Sequence, residues 1–475
     1  MQVAVAGRWD RRAQRLSVTS AKLAAGAFLG QAEQVVFGWP EPGRLELGGA
    51  LACQGRLEQL QRWFAFDSAP WQIDGRFVAR ADVRPRADVT AGTLDVRVDE
   101  LTVRHESGRR IEEKLVRLTA QGQYERRTRT VKLAPVALVS AAASARGAAG
   151  LALGHRPPRL QMEGQLDYDL ERLSQWFPFQ TDSNVFVAGR GSNPFWYRGP
   201  LSWREGEGGG GIDWQSCDAY GFRFGPGRLD LALARGMLQV RPVNVAVNEG
   251  RLHLAPQLRF AGERTELVFP AGPLAERIRI NPAMCAHFLQ YIAPILAGVA
   301  SAEGTFSIEL DGCRVPLDDP ASGDLAGRMI IHDVQIGPGP LIRQLAVALR
   351  RDKPAQLRRE SVVEFRMVQG RVYHRGLELQ FPDLTIRTYG SVGLDQSLAV
   401  LAEIPIPPDW KTGSRLDAAL RNQTIRIPIA GTLSRPTLDT AALERYQAEL
   451  LGRAAQNLLE DELRRRLDEL LRRRQ

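Results

Sequence analysis

Over most of its length this chain alternates apolar and polar residues with a period of two, and interrupts the alternation with a turn after roughly five to eight residues. In TLDVRVDE (93–100), Leu94, Val96 and Val98 share one parity while Asp95, Arg97 and Asp99 share the other. That is the pattern of a strand with one wet face. RLDLALARG (228–236) groups Leu229, Leu231 and Leu233 in the same way. VNVAVNEGRLHL groups Val243, Val245 and Val247 before a reversal at Asn248–Gly250. The rhythm continues through 361–404, where Val363, Phe365, Met367, Leu398 and Val400 share apolar parities. Gln369-Gly370, Arg375-Gly376, Pro382-Asp383 and Asp395-Gln396 supply reversals there. The 45 Gly and 28 Pro agree with many turns and few long helices.

Short strands joined by tight turns make an antiparallel meander, and its apolar side must be hidden. About 20 strands are too many for one small barrel. At ~4.8 Å per neighbour they would extend ~100 Å. The expected fold is therefore mainly β, an elongated, twisted antiparallel sheet curled into an open groove.

A repeat divides this sheet. LEQLQRWF (57–64) and LERLSQWF (170–177) differ at three positions, and a divergent third copy, FLQYIAP, occupies 288–294. Gly75, Gly189 and Gly304 follow the three copies, and LELGGAL (45–51) aligns with LQMEGQL (160–166). Repetition at a period of roughly 115 residues points to stacked units, each unable to bury its apolar face alone. In the second copy Leu170, Leu173 and Phe177 form one apolar helical face. Short helices are thus expected near 57–64, 170–177 and 284–292, crossing or plugging the groove, with Trp63, Phe64, Trp176 and Phe177 in core packing. The organisation read from the chain is repeating groove segments over 1–300, a further β region over 301–439, and a long amphipathic helix over 440–475. That last segment has no Pro, nine Leu, and arginines at 464–466 and 472–474. It suits a solvated helix end, a membrane surface or a partner helix.

The search for chemistry returns nothing that assembles a catalytic site. The six His are scattered without an HExxH pair, and Cys53, Cys217, Cys285 and Cys313 form no CxxC. GEGGGGIDW (206–214) contains GxGxxG but leads into a strand-like IDW rather than a helix, so it reads as a hairpin tip. No nucleophile elbow or phosphate loop is present. No catalytic residue, metal site or cofactor is expected. The net charge of +9 is spread along the chain without an aromatic-interleaved basic cluster, which argues against nucleic acid as a partner. Asn422-Gln423-Thr424 satisfies a glycosylation sequon. The apolar run YIAPILAGVA (291–300) is about half the ~20 residues of a membrane span. The N-terminus opens directly in strand-like alternation, so the chain is expected to begin inside a repeat of something longer.

The run AEGTFSIELDGCRVPLDDP (302–320), the stretch Gly390–Leu394, and above all Ile427, Pro428, Gly431, Thr432, Leu433 and Pro436 in IRIPIAGTLSRPTLD resemble the C-terminal part of AsmA-like envelope proteins. That family includes TamB-type and YhdP-type members. The likeness covers about the last 175 residues. It implies a repeating β-groove bridge in the bacterial periplasm, tethered to the inner membrane by a segment this chain lacks, that conducts phospholipid toward the outer membrane. Phospholipid, a membrane at one or both ends, and an outer-membrane protein engaged through 440–475 are the partners implied. The alternative is an outer-membrane assembly factor acting through the terminal helix. The lining expected for the groove is Leu94, Val96, Val98, Leu229, Leu231, Leu233, Val243, Val245, Val363, Phe365, Met367, Leu398 and Val400.

Overall fold

A computed structural model describes residues 2–438 except 42–43, 64–70, 87, 107–109, 177–183, 203, 262–263, 300, 338, 344–355, 358–360, 382–383, 406–423. Beyond 438 it describes only Ala448 and Gly452. The expected terminal helix, Phe64, Phe177, the Pro382-Asp383 reversal and the Asn422-Gln423 part of the sequon lie outside the described residues.

The protein is mainly β and antiparallel, with 31 strands among the described residues and few short helices. It divides into two compact units, Met1–Ala219 with Gly225–Arg241, and Tyr220–Phe224 with Pro242–Gln475. The division falls inside the span read from sequence as one repeating region, 1–300.

The first unit opens with β1 (Gln2–Asp10), β2 (Arg15–Ala25), β3 (Phe28–Glu41) and β4 (Arg44–Arg56). Helix α1 (Leu57–Trp63) follows. The meander resumes with β5 (Trp71–Pro85), β6 (Val89–His105), β7 (Arg110–Glu125), β8 (Thr130–Val139), β9 (Ala143–Ala152) and β10 (Arg159–Asp169). After α2 (Leu170–Leu173) come β11 (Val185–Ala188), β12 (Arg190–Pro200), β13 (Glu207–Trp214) and β14 (Ser216–Ala219). Each of β1 to β9 pairs with the next in sequence, and β10 pairs with β12. Among the described residues the sheet does not close, because β1 pairs only with β2.

All three repeated stubs are helical. Helix α1 has no buried residue and is fastened by Gln59, which donates to the Ala25 carbonyl, and by Gln61, which donates to Trp71 O and accepts from Ile73 N. Trp63 remains 46% exposed and meets Phe28 edge-on with ring centroids 5.0 Å apart, so it is not the core residue expected. Helix α2 also buries nothing, and a 3₁₀ turn (Ser174–Trp176) extends it, leaving Trp176 half-buried. The third stub differs. Pro282–Ile292 is helical with Asn281 as N-cap, Ala293 breaks it before a 3₁₀ turn (Pro294–Leu296), and Met284, Leu289, Ile295 and Leu296 are at most 1% exposed. It packs against the strands Arg371–Phe381 and Leu384–Gly393 and forms part of the second unit's core. Each such side chain contributes roughly 1.5–3 kcal/mol of transfer free energy.

The glycine after each stub has the same backbone role. Gly75, Gly189 and Gly304 have φ of 146°, 156° and 128°, a region that side chains other than glycine's rarely adopt. At Gly189 a Cβ would also lie 2.8 Å from the Gln215 nitrogen. Gly189→Ala is therefore expected to destabilise the first unit by about 1–3 kcal/mol, read as a lower denaturant midpoint. An unchanged midpoint would remove the repeat's structural rationale.

Candidate functional site

The pairing register carries apolar side chains across the first unit in straight rows. One row crosses ten strands from β1 to β10: Val3, Leu23, Gly30, Cys53, Ala79, Val96, Leu118, Leu138, Ala145 and Leu166. Two residues along each strand runs a second, Val5, Ala21, Ala32, Leu51, Ala81, Leu94, Ala120, Val136, Gly147, Gly164 and Phe195. A third runs from Gly49 through Val83, Gly92, Gly122, Leu133, Ala149 and Met162 to Tyr197, then Gly208 and Leu233. On β4 through β10 every position in these rows is apolar. Residues opposite each other across a ladder share a face, so one coherent apolar surface results.

This surface is not packed away. Leu51 is 41% exposed, Leu94 36% and Leu138 45%, while Val96, Leu118 and Leu166 are half-buried. Small residues form its floor. Ala81, Gly92, Ala120 and Gly122, with Val83, Leu94, Tyr124, Val131 and Leu133 around them and Thr90, Thr93 and Gln123 at its edges, line a shallow open hollow of about 300 Å³.

The opposite face carries cross-strand ion pairs beside the exposed Val78, Leu115 and Val139. Arg117 holds Asp95 at 2.7 Å, Arg97 holds Asp99 at 2.8 Å, and Arg56 holds Asp74 at 2.9 Å. Hydrogen bonds from these guanidiniums keep all three carboxyls below their ordinary range. Exposed pairs of this kind add little stability. They keep the outer face wet and the polarity of the sheet unambiguous.

Of the lining expected from sequence, Leu94, Val96 and Val98 lie on this face, whereas Leu233, which continues a row through Tyr197 and Gly208, is itself buried at 6% exposure. Leu229, Leu231 and Val243 are half-buried. The others are core. Val245 is 1% exposed, Val363 0%, Phe365 4%, Met367 5%, Leu398 6% and Val400 3%. They alternate as read, but the second unit fills its own inward face, and these side chains have no free surface to offer a guest. The contributions of β7 to β10 were not anticipated. KLVRLTAQ (114–121) and RLQMEGQL (159–166) carry the parity signal, whereas ASARGAAGLA (143–152) shows almost none, because its inward positions other than Leu151 are Ala and Gly.

Among the described residues no group of three or more His, Cys, Asp or Glu is arranged for a metal ion, and no helix is long and apolar enough to cross a membrane. In comparisons with known proteins, neither a family model nor a curated protein nor a solved structure matches this chain.

The filled core of the second unit contains a titratable group. His374, cross-strand from Phe365 and Gly390, is 3% exposed, and neither ring nitrogen has a hydrogen-bond partner. Burial pushes its pKa down from 6.5 to about 4. The folded state thus binds this proton less readily than the unfolded state. Stability is full above pH 6.5 and falls as pH drops toward 4, by about 3 kcal/mol in all. His374→Leu should flatten this slope and raise the unfolding midpoint at pH 5, as measured by denaturant titration across that window. A slope unchanged in the variant would assign the pH dependence elsewhere.

Proposed function

We propose that this chain is a non-enzymatic lipid-shielding protein whose first unit curls its sheet into a groove and holds the acyl chains of phospholipid along the three apolar rows. The observation that carries the reading is their continuity: ten strands without a polar interruption, left partly exposed. Monomeric proteins seldom expose apolar surface on this scale unless something binds it. At ~4.8 Å per strand the rows run on the order of 40 Å, longer than the ~30 Å hydrocarbon core of a bilayer.

Hydrocarbon suits the surface better than a protein partner does. Protein interfaces carry about one hydrogen bond per 100–200 Å², and on β4 to β10 the rows offer no side-chain donor or acceptor beyond the weak sulfurs of Cys53 and Met162. An acyl chain asks for none. Moving a two-chain lipid through water exposes roughly 30 methylenes at ~0.8 kcal/mol each, on the order of 20 kcal/mol, and a continuous apolar trough removes most of that.

This reading is coherent with a place in the bacterial periplasm, with a tether to the inner membrane and a terminal amphipathic helix over 440–475 that engages the outer membrane or a protein in it. A structural or assembly role has one observation in its favour, the closed interior of the second unit. The two roles are compatible if the first unit carries lipid and the second serves as a spacer.

Protein purified under native conditions should carry phospholipid detectable by mass spectrometry. Introducing carboxylates at two half-open positions, Leu94→Glu with Leu118→Glu, should reduce the bound lipid about tenfold, a loss of ~1.4 kcal/mol in binding, with the fold retained by circular dichroism. Wild-type protein that carries no lipid, and instead covers this face by dimerising, would sink the proposal.

A further inference from the structure

The meander brings every second turn of the first unit to the same end of the strands, and at that end the turns are rich in arginine. Three neighbouring turns concern us, β5–β6 (86–88), β7–β8 (126–129) and β9–β10 (153–158). Arg86, Arg127, Arg129 and Arg156 belong to them, and Arg159 opens β10 beside them. All five are exposed, and among the described residues none has a carboxylate within ion-pairing distance. The acids nearest in sequence are Asp88, Glu125 and Glu163.

This arrangement is not general to the unit. Arg56, Arg97 and Arg117 on its outer face are paired with Asp, as described above. At the opposite end of the strands Arg190 pairs with Asp169 at 3.0 Å and Arg110 with Glu112, and the β8–β9 turn, Ser140–Ala142, has no charge at all. Among the described residues Arg104 and Arg172 at that opposite end also lack an ion pair, but the cluster of five on three neighbouring turns is at this end, which a bare count of charges along the sequence does not reveal.

The three turns are also held in line. Arg126 N donates to Asp88 O at 3.0 Å, Leu153 N donates to Arg129 O at 2.9 Å, and the Arg126 guanidinium donates to the Thr90 hydroxyl at 3.4 Å. Neighbouring turns of this kind lie about 10 Å apart, two strand spacings. Directly below them the last cross-strand row, Thr90, Tyr124 and Val131, forms the near end of the apolar hollow. A ligand with hydrocarbon in that hollow would present its polar end to the arginines. Guanidinium donors in a fork match phosphate oxygens.

We propose that this arginine rim binds the phosphate headgroup of the lipid whose acyl chains occupy the adjoining apolar rows, so that phosphorylated lipids are preferred over neutral ones. The inference rests on the acyl-chain reading and adds the headgroup chemistry to it.

The test compares phosphatidylglycerol with diacylglycerol of the same acyl chains, each binding the full-length chain. Wild type should take phosphatidylglycerol about tenfold more tightly, with a preference that shrinks as salt rises. A variant with Arg86→Gln, Arg127→Gln, Arg129→Gln and Arg156→Gln should lose that preference yet bind diacylglycerol as before, and the corresponding four lysine substitutions should retain most of it. Retention of diacylglycerol binding shows that the variant is folded. A glutamine variant that keeps the wild-type preference would overturn the rim's role. So would tighter capture of duplex DNA than of lipid by wild type, which would assign the rim to nucleic acid. If wild type takes up neither lipid, the acyl-chain reading fails first and the rim proposal falls with it.

Discussion

Everything distinctive in the first unit follows from the maintenance of parity across cross-strand pairs. A slip of one residue in any pairing would move that strand's apolar set to the wet face. Over ten strands the register instead keeps Val96 beside Leu118, Leu118 beside Leu138, and Leu138 beside Ala145. The arginine–carboxylate pairs on the outer face reinforce the choice, since turning Arg117 or Asp95 inward would strand a charge against apolar surface. The sheet is thereby committed to two unlike sides, and only one of them is at home in water.

The two units resolve that commitment differently. In the second, Pro282–Leu296 inserts Met284, Leu289, Ile295 and Leu296 into the inward face, and the strands behind reach the near-zero exposure of an ordinary core. In the first, the equivalent stubs α1 and α2 bury nothing, and among the described residues no helix fills the inward face. The same repeated motif, helix then glycine, thus serves as a core element in one unit and a connector in the other. The difference lies in the residues around it. CAHFLQYIAPIL (285–296) is apolar on most sides, whereas LEQLQRW carries Glu58, Gln59, Gln61 and Arg62.

Much of the architecture was legible from the chain. Alternation identified the strands wherever Leu and Val marked the inward positions, as in TLDVRVDE and SVVEFRMV, and the recurrence of Gly75, Gly189 and Gly304 located a backbone requirement that the φ angles bear out. What alternation could not distinguish was an inward face that is filled from one that is open. Phe365 and Leu94 follow the same pattern, yet one is 4% exposed and the other 36%, because exposure depends on what lies across the sheet, not on the strand itself. The floor of the hollow was hidden for a related reason: Ala81, Gly92, Ala120 and Gly122 are inward by register but too small to mark a hydrophobic position. The basic rim was equally invisible, because arginines distant in sequence meet only when the meander stacks its turns.

The claim at the centre of this account is that hydrocarbon contacts the first unit's apolar rows and not the second unit's core. Methyl-resolved nuclear magnetic resonance of the full chain, with labelled Leu and Val and added phospholipid, tests it directly. The account predicts magnetisation transfer from acyl methylenes to Leu94, Leu118 and Leu138 methyls and none to Val363 or Leu379. Transfer confined to the second unit, or none to either, would contradict it.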